Sequence, residues 1–144
     1  MISLLVISIG LLGIAALQIT SMKQNNSALH HSQAVWVGSN MSERIRSNFG
    51  AFASYAGIDT DTSPTQDCLA STCNIQQLVD GDAADWAIEV QNLPAGRGTI
   101  TADVGNTMLT ISVMWDDEGT GASGIACGPD PKVDLTCYTV ALVR

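Results

Sequence analysis

The chain has 144 residues, a formal net charge of −8 and 46% hydrophobic residues, which allows one modest core and leaves no room for two large domains. The charge is unevenly spread: residues 57–144 carry thirteen acids against Arg97, Lys132 and Arg144, a net of −10, while residues 1–56 hold Lys23, Arg44 and Arg46 against Glu43. An acidic body without grouped Lys and Arg argues against nucleic acid as a partner, because neutralising phosphates needs clustered cations.

The chain opens "MISLLVISIGLLGIAALQITSM", with no charged side chain from Met1 to Met22. As a helix this run reaches roughly 33 Å, enough to cross a hydrocarbon core, and residues 1–22 are therefore expected to be a transmembrane half-helix. A core helix of this length would need an apolar shell that so polar a remainder cannot supply. A cleaved signal peptide is disfavoured by the absence of a basic stretch before the run and of a small-x-small site after it. Ser3, Ser8, Gly10 and Gly13 are compatible with a membrane helix and let neighbouring helices approach closely.

The helical pattern continues past Met22. No proline occurs from Lys23 to Ser54, and Ala34, Val37, Met41, Ile45, Phe49 and Phe52 recur three or four residues apart, as one face of an amphipathic helix requires. Gln24, Asn25, Ser32, Asn40, Arg46 and Ser47 supply the polar face. Residues 23–56 are expected to be the water-exposed half of the same helix, about 75 Å in all, ending near Gly50 and Gly57.

Residues 57–144 form the expected head. Cys68 and Cys73, and Cys127 and Cys137, are near neighbours in sequence; three pairings exist on paper, and loop-closure entropy favours the two local ones. Zinc is the rival reading, although the spacings match no common zinc site and neither His30 nor His31 is near in sequence. Disulfides would place the head outside the cytoplasm. "DGDAADWAIEVQNL" reads as a short helix capped by Asp82, with Asp85 in its first turn and Trp86, Val90 and Leu93 on one face. The same acids fail a calcium loop, because Ala84 and Asp85 occupy its fifth and sixth positions.

"TITADV", "NTMLTISVMW" and "CYTVALV" alternate as strands: Ile100, Ala102 and Val104; Leu109, Ile111, Val113 and Trp115; Tyr138, Val140 and Leu142. Gly105-Asn106 suits a tight turn between the first two. The fold class expected is α+β, a long N-terminal helix packed on a small antiparallel sheet. Met41, Ile45, Phe49 and Phe52 would meet Trp86, Ile111 and Val113 in its core. Asp116, Asp117 and Glu118 read as solvated loop acids, and His30 and His31 as plain surface or groove residues. No nucleophile elbow, phosphate loop or metal motif occurs, so neither catalysis nor a cofactor nor a metal is expected.

Four stretches carry a resemblance. "SLLVISIGLLGIAALQ", "NMSERIRSN", "WAIEVQNLPAGRGTI" and "LTISVMWDD" resemble the opening helix, mid-helix, tryptophan helix with its glycine turn, and central strand of PilV-like minor pilins, the type IV pilus modification proteins. The resemblance implies a pilin-like fold and a role in assembly, with effects on adhesion and twitching motility, and not an enzyme. It implies stem packing through Leu4, Leu5, Ile9, Gly10, Gly13 and Leu17. The implied partners are other minor pilins, the major pilin, the inner-membrane assembly platform and, before assembly, membrane lipid. The implied location is the inner membrane of a Gram-negative cell with a periplasmic head, and then the filament. Members normally begin with a basic leader, a cleavage-site glycine, an aromatic residue and an acid, none of which precedes Met1; the reading is that Met1 lies several residues inside the mature protein. A type II secretion pseudopilin, a membrane-anchored periplasmic binding module and, least of all, an anchored enzyme are the alternatives.

Overall fold

The computed structural model describes the backbone of residues 2–62, 68 and 72–144, and of these the side chains of residues 2–6, 8 and 9 lie outside the description. Helix α1 spans Ile2–Ser47, about 69 Å at the usual rise, and a 3₁₀ helix follows at Phe49–Tyr55. Helix α2 (Ile75–Val90) and strands β1 (Arg97–Ala102), β2 (Met108–Trp115) and β3 (Thr136–Val143) complete the chain. The sheet is antiparallel throughout in the order β1-β2-β3. This is the expected α+β, pilin-like architecture of a long helix on a small sheet.

The alternation of β2 explains the packing. Leu109, Ile111, Val113 and Trp115 are buried on one face, and Ile111 sits in register between Ile100 of β1 and Val140 of β3. Ala34, Val37, Met41 and Ile45 of α1 are buried in the same cluster. The helix lies close to the sheet because Gly38 faces the Tyr138 ring: a Cβ there would come within 3.0 Å of Tyr138 Cε1. Trp86 of α2 fills the other side of this core and donates its indole N–H to the Val37 carbonyl at 3.3 Å. Gly98 permits that placement, since a Cβ at this position would lie 2.5 Å from Trp86 Cη2.

Several local expectations need correction. Phe49, expected in the core, is 45% exposed. The α-helix stops at Ser47 and Asn48 leaves helical dihedrals (φ −115°, ψ 46°), so the α-helical spacing that would carry Phe49 under Ile45 is broken. In the tighter 3₁₀ turn Phe52 and Tyr55, three residues apart, take the buried positions, and Phe49 stacks against Phe52 with ring centroids 5.6 Å apart. Helix α2 begins earlier than expected, at Ile75, behind a capping box in which Asn74 and Gln77 exchange side chain-to-backbone bonds of 2.9 and 3.0 Å. Asp82 is therefore a mid-helix residue and not its cap. Strand β1 ends at Ala102, leaving Ala102 and Val104 exposed, because the Asp103 carboxylate accepts the Thr107 and Met108 amides at 2.7 and 2.9 Å and draws the chain into a turn. Asn106 takes the left-handed conformation of that turn, with φ +51°.

The packing sets a clear expectation for stability. Gly98→Val should destabilise the fold by at least about 1–3 kcal/mol through overpacking against Trp86, and Ile45→Ala by about 2–5 kcal/mol through a cavity. Gly50→Ala, where nothing lies within 4 Å of the added carbon, should change it by less than about 0.5 kcal/mol. Denaturant unfolding of the three variants checks the order.

Candidate functional site

Among the described side chains from Ile7 to Met22, the helix stands clear of the rest of the chain. Ile7, Leu11, Leu12, Ile14, Leu17, Ile19 and Met22 are 56–72% exposed, and at about 100° per residue they cover roughly 220° around the axis, with Gly13, Ala16 and Thr20 in the remaining arc. An uncharged helix with so broad a bare apolar face calls for apolar surroundings. Among the described residues no helix is long and apolar enough to cross a membrane. Of the proposed stem-packing positions, the side chains of Leu4, Leu5 and Ile9 lie outside the described residues. Gly10, Gly13 and Leu17 are on the bare helix, with nothing within 4 Å of a carbon added at either glycine.

Two polar clusters hold the lower part of this stem on the head. In the first, Arg44 reaches α2. Its Nη1 donates to Asp82 Oδ1 and Asp85 Oδ2, both at 3.2 Å, its Nη2 to Glu89 Oε1 at 3.2 Å, and its Nε to Asn40 Oδ1 at 2.8 Å. The three acids lie on one face of α2, spaced three and four residues apart. Burial opposes the charge on Arg44, but the bonds to Asp85 and Asp82 and the nearby Glu89 carboxylate outweigh it, and its pKa is raised. Tyr55 donates its hydroxyl to Asp82 Oδ2 at 2.5 Å; burial first, and then this bond to a carboxylate, push the phenol well above its ordinary pKa.

In the second cluster the end of β2 meets the stem. Asp117 accepts from Ser27 Oγ at 2.5 Å and from Trp115 Nε1 at 3.0 Å, and His30 Nδ1 lies 3.4 Å from it. Burial raises the Asp117 pKa, but the bonds from Ser27, Trp115 and His30 more than offset it and leave the pKa lowered. His31 meets Trp115 and Tyr138 edge-on, with centroids 6.0 and 6.2 Å apart. The histidines, expected as surface or groove residues, and Asp117, expected as a solvated acid, are thus part of the stem–head contact, where His30 and His31 line a groove with Asp117. Asp116 is also not a free loop acid: it accepts the Gly121 and Thr120 amides at 2.8 and 3.0 Å, which hold its pKa down. Ninety positions separate Ser27 from Asp117, so no local pattern could announce the pair. The spacing of Asp82, Asp85 and Glu89 opposite a lone arginine was the available signal for the first cluster.

Ser27, His30 and Asp117 do not form a nucleophilic triad. Both Ser27 and His30 approach the carboxylate, so no imidazole is positioned to take the serine proton. Among the described residues no group of three His, Cys, Asp or Glu could hold a metal ion. Cys68 is bonded to Cys73 and Cys127 to Cys137, with Cα atoms 5.6 and 5.5 Å apart; the second bond fastens the loop after β2 to the start of β3.

Removing Arg44 tests the first cluster. Arg44→Met leaves Asp82 and Glu89 part-buried without their cation and should cost about 3–5 kcal/mol, whereas Tyr55→Phe should cost about 1–3 kcal/mol; chemical denaturation of each variant checks both. The lowered folded pKa of Asp116 contributes stability that is present above its unfolded value and is lost as pH falls through the folded one. The melting temperature should therefore drop below about pH 4. In Asp116→Asn it should be lower at pH 7 and fall less steeply in acid.

Residues 16–84 match the Tt1218-like family, described as Type IV pilin Tt1218. No curated protein and no solved structure matches the chain. The matched segment runs from the bare stem through the helix seated on the sheet and into α2 as far as Ala84. Over that segment the chain is similar to type IV pilins, and the long helix on a small antiparallel sheet is the pilin-like architecture expected above.

Proposed function

We propose that the chain is a PilV-like minor pilin that contributes to type IV pilus assembly or priming and, through it, to adhesion and twitching motility, without enzymatic activity. The observation that carries this reading is the bare, uncharged stem from Ile7 to Met22, with a broad exposed apolar face, projecting from an acidic head. Such a stem calls for lipid or other helices around it, and a pilin meets both in turn. Residues 1–22 would lie in the inner membrane before extraction, residues 23–56 would join stem to head, and residues 57–144 would form the periplasmic and later surface-exposed head. Its partners would be other minor pilins, the major pilin and the assembly platform. Leu4, Leu5, Ile9, Gly10, Gly13 and Leu17 would face neighbouring stems. The two disulfides suit an oxidising compartment. A pseudopilin of type II secretion shares these features, and co-purification with secretion components in place of pilus subunits would favour it.

Deleting the gene should reduce surface piliation and twitching. Restoring it as Gly13→Leu should leave the membrane level unchanged and lower piliation, because a bulky side chain keeps stems apart while insertion stays favourable. Equal piliation in the deletion strain overturns the proposal.

A further inference from the structure

The two outer strands of the sheet are treated differently by the chain. Gly57–Thr60 runs along β1: Gly57 N–H donates to the Ile100 carbonyl at 2.8 Å, Ile100 N–H to Ile58 at 2.9 Å, and Thr60 N–H to Gly98 at 3.0 Å. The outward backbone groups of Gly98 and Ile100 are thereby occupied. At the other edge, Arg144 N–H donates to the Thr107 carbonyl at 2.8 Å, which fixes the phase of the β2–β3 ladder. Thr136, Tyr138, Val140 and Leu142 turn their backbone groups toward β2, and Cys137, Thr139, Ala141 and Val143 turn theirs away. Among the described residues none of these outward amides and carbonyls has a backbone partner.

The sequence of β3, "TCYTVALV", contains no charge, proline or glycine, the usual devices that blunt an exposed edge. A groove of about 500 Å³ adjoins its first half, lined by Thr136, Cys137 and Thr139 on one side and by Glu118, Pro131 and Asp134 of the preceding loop on the other.

We infer that the open edge of β3 accepts an added strand from a different pilin-type subunit, an extended segment whose Lys or Arg enters the groove at Glu118 and Asp134. Main-chain bonds supply affinity in such strand addition, and side-chain pockets supply the choice of partner. The charge of the groove sets the sign of that choice. A second copy of this chain fits poorly. Antiparallel β3–β3 pairing places a two-fold axis through the sheet and reverses one stem against the other, which stems sharing a membrane or filament cannot tolerate; in this respect the inference rests on the pilin reading. Parallel pairing would set acidic groove against acidic groove, in heads that each carry −10.

The test uses the full chain in detergent, alone and after co-expression with each other pilin-type subunit of its cell, with amide exchange read at Thr139, Ala141 and Val143. Exchange should be fast in the chain alone and at least tenfold slower in complex with one partner. Thr139→Pro removes an N–H that faces away from β2 and is tolerated at an edge, so recovery of the partner should fall at least tenfold while the melting temperature holds. Glu118→Arg should lower recovery several-fold. Should proline prove disruptive, the exchange measurement on the unaltered chain still decides. Fast exchange in every co-expressed pair overturns the inference, as does slow exchange already in the chain alone, which a second copy or a further covering segment would produce. Undiminished recovery by a folded Thr139→Pro chain also overturns it. Any of these together with lost piliation on gene deletion defeats the edge and leaves the pilin reading standing.

Discussion

Ala34, Val37, Met41 and Ile45 press one face of α1 onto the buried side of β2, with Gly38 bringing the helix down to the Tyr138 ring. The apolar face of β2, Leu109, Ile111, Val113 and Trp115, needs an apolar layer against it to leave water. The helix supplies the missing layer, and Trp86 of α2 closes the remaining side by bonding to the Val37 carbonyl. Folding of the head therefore requires the lower stem. The upper stem needs nothing from the head and is left to surroundings outside the chain.

Hydrophobic contact alone does not fix where a helix sits along a sheet, because burial is non-directional. The two polar clusters supply direction. Arg44 at one end of the seat engages three carboxylates of α2, and Ser27 and His30 at the other approach Asp117 at the end of β2. A helix anchored at two points seventeen residues apart cannot slide or rotate without breaking charged bonds in part-buried surroundings, where such bonds are strongest. In the proposed pilus subunit this rigidity sets where each head stands, because it fixes the angle between stem and head.

The helix-on-sheet fold class was legible because period 3.6 and period 2 are written plainly in "AVWVGSNMSERI" and "LTISVMW". The failures fall where tertiary contact or turn chemistry overrides period. Phe49 continues the helical spacing but follows a chain that has already tightened into 3₁₀ geometry. Asp82 looks like a cap because acids favour helix starts, yet Asn74 and Gln77 satisfy that end eight and five residues earlier, which frees Asp82 to meet Arg44 and Tyr55. Val104 alternates correctly and is still exposed, because Asp103 captures the turn amides. In the candidate site the apolar stem was visible as composition, whereas the Asp117 contacts joined residues so distant in sequence that only the fold could bring them together.

In the proposed pilin one helix carries both the folding core and the assembly surface, and the two uses divide it by length and by face. Among the described residues from Gly10 to Met22 every side chain is exposed, so in the proposed pilin this stretch answers to its surroundings and not to the head. From Ala34 to Ile45 the buried face answers to the sheet, while Trp36, on the opposite face, is exposed and free to answer to other subunits. A substitution on the buried face confounds assembly with folding, because losing the seat unfolds the head that a filament would display. A substitution on the bare stem separates them: the head keeps its core, and any change in piliation reports on packing between subunits.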